Sequence, residues 1–172
     1  MITLSHTIEI KVSAKRVFDF FLNLKDNYQA WHPDHGGSSY LTAGPLGEGS
    51  MVSVDEKLHG KPHKLIIKVT GVKRNARIEY TTVLGIRGVF AMKARNQRTT
   101  IFTAELHFGS KIRVLSNLVD IALMSFFSHQ LHSIKEHMTE EGTNLKRILE
   151  TVNEGKDQKK SPGKLRRNSK KR

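Results

Sequence analysis

The sequence predicts an α+β fold in which a curved antiparallel sheet grips a long C-terminal helix. Three observations predict it. An alternating N-terminal strand passes directly into helical patterning. Runs of strand character then recur at hairpin spacing. The remainder of the chain, up to a basic tail, reads as helix. Strands followed by a terminal helix form an α+β plan, and such a sheet and helix can enclose a cavity between them.

In Leu4 to Val12, residues Leu4, His6, Ile8, Ile10 and Val12 share one face, and Ser5, Thr7, Glu9 and Lys11 the other. Period two marks a half-buried strand. Ser13 is placed to cap a helix over Ala14 to Leu24, where Val17, Phe18, Phe21 and Leu22 form one apolar stripe. A second short helix over Asp26 to Trp31 is stopped by His32-Pro33, because a residue before proline is pushed out of helical geometry. Gly36-Gly37, Gly44-Pro45 and Gly47 to Gly49 read as turns. Strands follow over Met51 to Leu58, Lys64 to Val72, Arg77 to Leu84, Val89 to Arg95 and Thr99 to Phe108, with Asn75 and Asn96-Gln97 where turns are needed. In the last strand Phe102, Ala104, Leu106 and Phe108 face in, so His107 faces out. Ile112 to Phe127 is a strongly apolar helix interrupted by Asp120. A long helix then runs to about Val152, with a possible break at Gly142.

At 172 residues the chain is long enough for one domain with a sizeable core, expected over 1–154. It has no cysteine, which excludes disulfides and thiolate metal sites. The N-terminus lacks the basic and apolar regions of a signal peptide, and no 18-residue apolar run exists, so the expected compartment is the cytoplasm. The net charge of +13 is unevenly placed. Gly155 to Arg172 holds nine Lys or Arg against Asp157 alone, a net +8 that leaves +5 for the rest. With Leu165 as its one large apolar residue, this tail is expected to be disordered and solvating. No specific nucleic acid is implied; weak attraction to polyanions is all that the charge supports.

The densest cluster of ligand-type side chains is Tyr28 to His35, YQAWHPDH. Glu56 falls on the same strand face as Val52, Val54 and Leu58. On a helical wheel, His137 and Glu141 fall among Leu123, Phe127, Ile134, Leu145 and Ile148, whereas His129, His132, Glu136 and Glu140 point towards solvent. Spacing of i,i+4 puts His137 and Glu141 side by side. A carboxylate facing a core costs several kcal/mol unless it is paired or bound to metal. Two carboxylates and two imidazoles suit Zn²⁺, with Mn²⁺ or Fe²⁺ possible. The expected ligands are His35, Glu56, His137 and Glu141. A metal-free polar cavity with the same groups hydrogen-bonded is the alternative. His6 reads as structural, and His59 and His63 as exposed beside a Gly60-Lys61-Pro62 turn.

The opening IEIKVSAKRVFDFFLNLKDNYQAW resembles the START/Bet v 1-like superfamily, in its polyketide cyclase/dehydrase and lipid-transport group, over roughly Ile8 to Val152. That resemblance implies a helix-grip fold with an internal cavity. A sharper resemblance is to the diacetylphloroglucinol hydrolases, zinc enzymes that remove an acyl group from a phenolic ring by cleaving a carbon–carbon bond. Their Tyr-x-x-Trp-His-Pro-x-x-His motif is similar to Tyr28 to His35, which is one residue shorter and leaves either His32 or His35 as the ligand. Their strand Glu resembles Glu56, ahead of Gly60, and their terminal His-x-x-x-Glu resembles His137 to Glu141, followed by Asn144-Leu145-Lys146. The resemblance implies a metal-dependent hydrolase of an acylated phenolic or polyketide-like substrate, with Tyr28 hydrogen-bonding a substrate oxygen and Tyr80 available as a second phenol. The family's remaining catalytic His, Tyr and Asn are not placed in this sequence. The other reading is a non-catalytic carrier of a small hydrophobic or aromatic molecule.

Overall fold

A computed structural model of the chain describes residues 2–58, 61–109 and 131–151. Its elements run β1 (Ile2–Ile10), α1 (Ala14–Leu22), α2 (Leu24–Trp31), β2 (His35–Tyr40), β3 (Met51–Leu58), β4 (Lys61–Lys73), β5 (Arg77–Thr82), β6 (Arg87–Asn96), β7 (Thr99–Phe108) and a helix α3 over 131–151. The seven strands form one antiparallel sheet in the order β1-β7-β6-β5-β4-β3-β2. The two edge strands are joined in sequence by α1 and α2, so the chain crosses the sheet once and returns by successive hairpins. The curved sheet with its C-terminal helix is the helix-grip arrangement.

Local chemistry explains the element ends. Ser13 is extended and its hydroxyl accepts from the Arg16 amide at 3.4 Å, capping α1. The stripe of α1 buries Val17, Phe18, Phe20 and Phe21. Phe21 stacks on Phe90 and Phe102 of the sheet, with ring centroids 4.4 and 5.5 Å away. A buried aromatic ring of this kind contributes roughly 1.5–3 kcal/mol. His32 is extended, with φ −146° and ψ 143°, and ends α2 ahead of Pro33.

The strand faces follow the predicted alternation, while several boundaries move. β1 stops at Ile10, and Val12 is buried beyond it. β4 reaches Lys61, so Lys61 and Pro62 belong to a strand rather than to a turn; Pro62 pairs with Lys57. β5 ends at Thr82, leaving Val83 and Leu84 in the turn. Gly36 and Gly37 are not a turn. They lie in β2, which is an edge strand, and the register shifts between His35 and Gly37. A Cβ on Gly36 would meet the Asp55 Cβ at 3.2 Å, a tight contact that Asp55 would have to yield to by a few tenths of an ångström.

Gly142 does not break α3, which is continuous over 131–151. The glycine serves close packing instead: a Cβ there would come within 2.6 and 2.7 Å of His6 Cδ2 and Nε2 on β1. Met138, Leu145 and Leu149 of α3 are buried in the same core as Phe21 and Phe102. The apolar stretch Ile112 to Phe127, His59, Gly60 and the basic tail lie outside the described residues. Among the described residues, no helix is long and apolar enough to cross a membrane.

The contact between β1 and α3 generates two predictions. Gly142→Ala is expected to lower stability by about 1–2 kcal/mol in denaturant unfolding, although Ala is the better helix former. In a His6→Ala background the same change is expected to be neutral or stabilising. Burial, and then the charge of Lys135, hold His6 below its ordinary pKa of 6.5, so the folded state binds fewer protons than the unfolded state. This contribution is therefore present above about pH 6.5 and is lost as pH falls below it. His6→Leu is expected to flatten the acid limb of the stability curve.

Candidate metal and ligand site

The inner face of β2–β3–β4, the end of α2 and one face of α3 meet at a cluster of imidazoles and carboxylates. The β2–β3 register sets His35 directly opposite Glu56, and residues so paired share a sheet face. His35 is buried. Its ring lies flat on Tyr28, with centroids 4.0 Å apart and 1° between the planes, and meets Trp31 edge-on. Trp31 donates its indole N–H to the Glu141 main-chain oxygen at 2.9 Å, which ties α2 to α3 at the cluster.

His35 Nδ1 lies 3.0 Å from the Tyr28 carbonyl. A carbonyl only accepts, so Nδ1 carries a proton, and in the neutral ring the Nε2 lone pair points into the site. Nε2 lies 3.1 Å from Glu141 Oε1 but is buried and has no hydrogen-bond partner. The approach is close without being aligned, and in the neutral ring it sets two acceptors face to face. His137 Nε2 lies 3.7 Å from the same Glu141 oxygen. A tetrahedral ion with bonds of about 2.0–2.1 Å separates its ligand atoms by about 3.4 Å. The two observed separations bracket that value, and the donor set of imidazoles and carboxylate fits Zn²⁺.

His32 is also buried and belongs to the same group. His32, His35 and His137 can each present one ring nitrogen within 4.8 Å of the others. Its two nitrogens are nevertheless occupied. Nδ1 accepts from the Asp34 amide at 3.1 Å, so the proton sits on Nε2, 3.0 Å from Glu140 Oε2. An ion bound through His32 would have to displace Glu140, whereas His35 needs no such exchange.

Of the four expected ligands, His35, His137 and Glu141 come together. Glu56 stands one hydrogen bond away, its Oε1 accepting from Tyr28 Oη at 2.5 Å. Burial first, and then the charge and hydrogen bond of Glu56 and the charge of Glu141, raise the Tyr28 pKa far above the ordinary phenol value. Tyr80, inward on β5 as expected, is raised by burial and then by Glu141 and Glu56. Both phenols stay protonated, and Tyr28 donates to Glu56. Tyr80 owes its position to Gly88 opposite it, where a Cβ would fall 2.0 Å from Tyr80 Cζ. Glu140 is a functional neighbour that the helical wheel misses: its side chain is exposed, yet its carboxylate reaches a buried His. His132 and Glu136 are exposed, and His107 faces out to Thr3 and Glu105, as expected. A hollow of about 280 Å³ lies at the end of the β3–β4 hairpin, where Asp55, Lys57, Pro62 and Lys64 share its lining with Glu56 and His63.

No protein-family model and no curated protein sequence matches the chain. Solved structures do match. A protein from Thermus thermophilus superposes with a TM-score of 0.67 at 10% identity, covering 88% of this chain and 99% of that one. A START superfamily protein from Mycobacterium smegmatis gives 0.55 at 17% identity, over 78% and 95%. The Zhui aromatase/cyclase from Streptomyces gives 0.57 at 12%, over 86% and 95%. The fold is therefore the helix-grip fold of START/Bet v 1-like proteins.

Two of the three tyrosines, Tyr28 and Tyr80, are expected to withhold their tyrosinate absorbance in an alkaline titration until the protein unfolds. Gly88→Ala, which forces the Tyr80 ring aside, is expected to cost about 1–3 kcal/mol in denaturant unfolding.

Proposed function

We propose that the inner face of the sheet binds a small apolar molecule of aromatic or polyketide type and holds its oxygen at the His35–His137–Glu141 cluster. The observation that carries this reading is the setting of the cluster. Its polar groups sit at the edge of an aromatic floor of Phe21, Trp31, Phe90 and Phe102, with the protonated phenols of Tyr28 and Tyr80 alongside. Likeness in fold to START and aromatase/cyclase structures supports it. An apolar wall with a few convergent polar groups is the general form of a small-molecule site.

A second reading is favoured by one specific observation, the unpartnered lone pair of His35 Nε2 facing a carboxylate oxygen. On this reading the chain is a metal-dependent hydrolase that cleaves a carbon–carbon bond in an acylated phenolic substrate. His35, His137 and Glu141 would hold the ion, with Glu56 at its edge. A bound Zn²⁺ would supply Lewis acidity towards a substrate carbonyl. The chain's own residues would do the rest. The His35 ring is oriented by the Tyr28 carbonyl, a partner that fixes the tautomer and strengthens the ligand. Tyr80 would donate a hydrogen bond to a substrate oxygen; Tyr28 could do so only by giving up its bond to Glu56, which otherwise holds its hydroxyl in place.

Metal analysis of the untagged protein, purified without chelator, separates the two readings. The hydrolase reading expects near-stoichiometric zinc that is lost in His35→Ala, His137→Ala and Glu141→Ala while the far-ultraviolet spectrum is kept. It then expects turnover of acylphenols by the loaded protein. Absence of metal, with none taken up on addition, sinks that reading and leaves the ligand-binding one. Mass spectrometry of an organic extract would then be expected to find an apolar molecule. An empty extract and no saturable binding of aromatic ketones would overturn that as well.

A further inference from the structure

Val83 and Leu84 are 71% and 74% exposed, adjacent, and at the tip of the β5–β6 turn. This exposure is not fraying. The Gly85 amide donates to the Thr82 carbonyl at 3.0 Å and the Thr82 amide to the Ile86 carbonyl at 2.9 Å. The Ile86 amide donates to Thr82 Oγ1 at 3.2 Å, and the Val83 amide to the Ile66 carbonyl of β4 at 3.3 Å. Gly85 takes the left-handed φ of +77° that closes the turn. A backbone held this firmly presents two large apolar side chains to water.

The surroundings of the tip are cationic. β4 lies beside the turn, and its Lys64 and Lys68 flank Ile66, the residue to which Val83 is bonded. Lys57 extends the row along the outer face of the β3–β4 hairpin, and these three lysines are exposed. Among the described residues, Asp55, 3.6 Å from Lys64, is the one acid on the outer face of this hairpin. The tip also lies at the same end of the sheet as the site. β5 runs towards it from Tyr80, three residues before Val83, and the same end holds the His35–Glu56 pair and the end of β3. Three residues of strand span about 10 Å.

We infer that this end of the sheet docks on an anionic lipid surface, with Val83 and Leu84 entering the acyl boundary and Lys57, Lys64 and Lys68 meeting the headgroups. Two side chains alone hold a protein on a bilayer only weakly, and the lysines supply the second attraction and the selectivity for negative charge. Docked in this way, the chain brings its site to the surface of the phase in which an apolar ligand is dissolved. The inference concerns the surface and does not depend on whether the site holds metal.

The test uses the full chain carrying Leu84→Trp, with phosphatidylcholine vesicles made with and without phosphatidylglycerol. The native Trp31 is buried and supplies the baseline. The introduced indole is expected to shift to the blue, and to be quenched by brominated acyl chains, with the anionic vesicles alone. Val83→Asp combined with Leu84→Asp is expected to reduce partitioning by about tenfold. Its thermal midpoint should be unchanged, because both side chains are already in water. Vesicle binding without a shift or quenching overturns the inference, since the basic run after Gly155 would then be acting by itself. So does wild-type partitioning of the double aspartate variant, or equal binding to neutral vesicles. Absence of any vesicle binding overturns it too, and would leave the tip for a protein partner.

Discussion

The site depends on the Trp31 side chain. Its ring packs edge-on against Phe20, Phe21, Phe90 and His35, and its N–H is bonded to the Glu141 carbonyl. α1, α2, the sheet and α3 all meet at that one residue. An indole that is buried must find an acceptor, and here the acceptor is the backbone of the residue whose carboxylate enters the cluster. The packing of the core and the placing of Glu141 are thus one constraint. Loosening the wedge would move a carboxylate as well as a helix.

The sheet contributes the other half of the site through register. His35 opens β2 opposite Glu56, and the bulge at Gly36 lets β2 begin on the inward face straight after the His32-Pro33 stop. Tyr28 bridges the two strands, stacked on His35 and bonded to Glu56. Gly88 and Gly142 act in the same way elsewhere: each lacks the side chain that would exclude a ring, Tyr80 in one case and His6 in the other. Glycines in this fold let polar rings approach backbone closely, which accounts for their places within strands and a helix, where propensity argues against them.

A ligand-binding cavity and a metal hydrolase call for the same inner face, and they differ in what satisfies His35 Nε2. A metal-free site sets a neutral imidazole lone pair against a carboxylate oxygen unless His35 takes a second proton and pairs with Glu141 as an imidazolium. A metal ion between them removes the same opposition. Likeness in fold to START-like structures speaks to the architecture alone. Only the chemistry of these few side chains bears on catalysis. The apolar tip and lysine row at the same end of the sheet suit an apolar ligand under either reading.

Periodicity by itself determined the strand faces, the α1 stripe, the end of α2 at His32-Pro33 and the inward direction of His137 and Glu141, because side-chain direction along a strand or helix is a local property. It was blind where a residue's role depends on what lies opposite. Gly36-Gly37 read as a turn because nothing local distinguishes a bulge from one. Gly142 read as a break because the ring of His6 is remote in sequence. Glu140 read as solvent-facing, and it is exposed, yet a buried imidazole from another helix comes to meet it. Tertiary structure alone decided that His35 offers a free lone pair while His32 does not, and that Glu56 reaches the cluster through Tyr28. Each of these turns on which donor stands about 3 Å away, a distance between elements that no pattern within one element encodes.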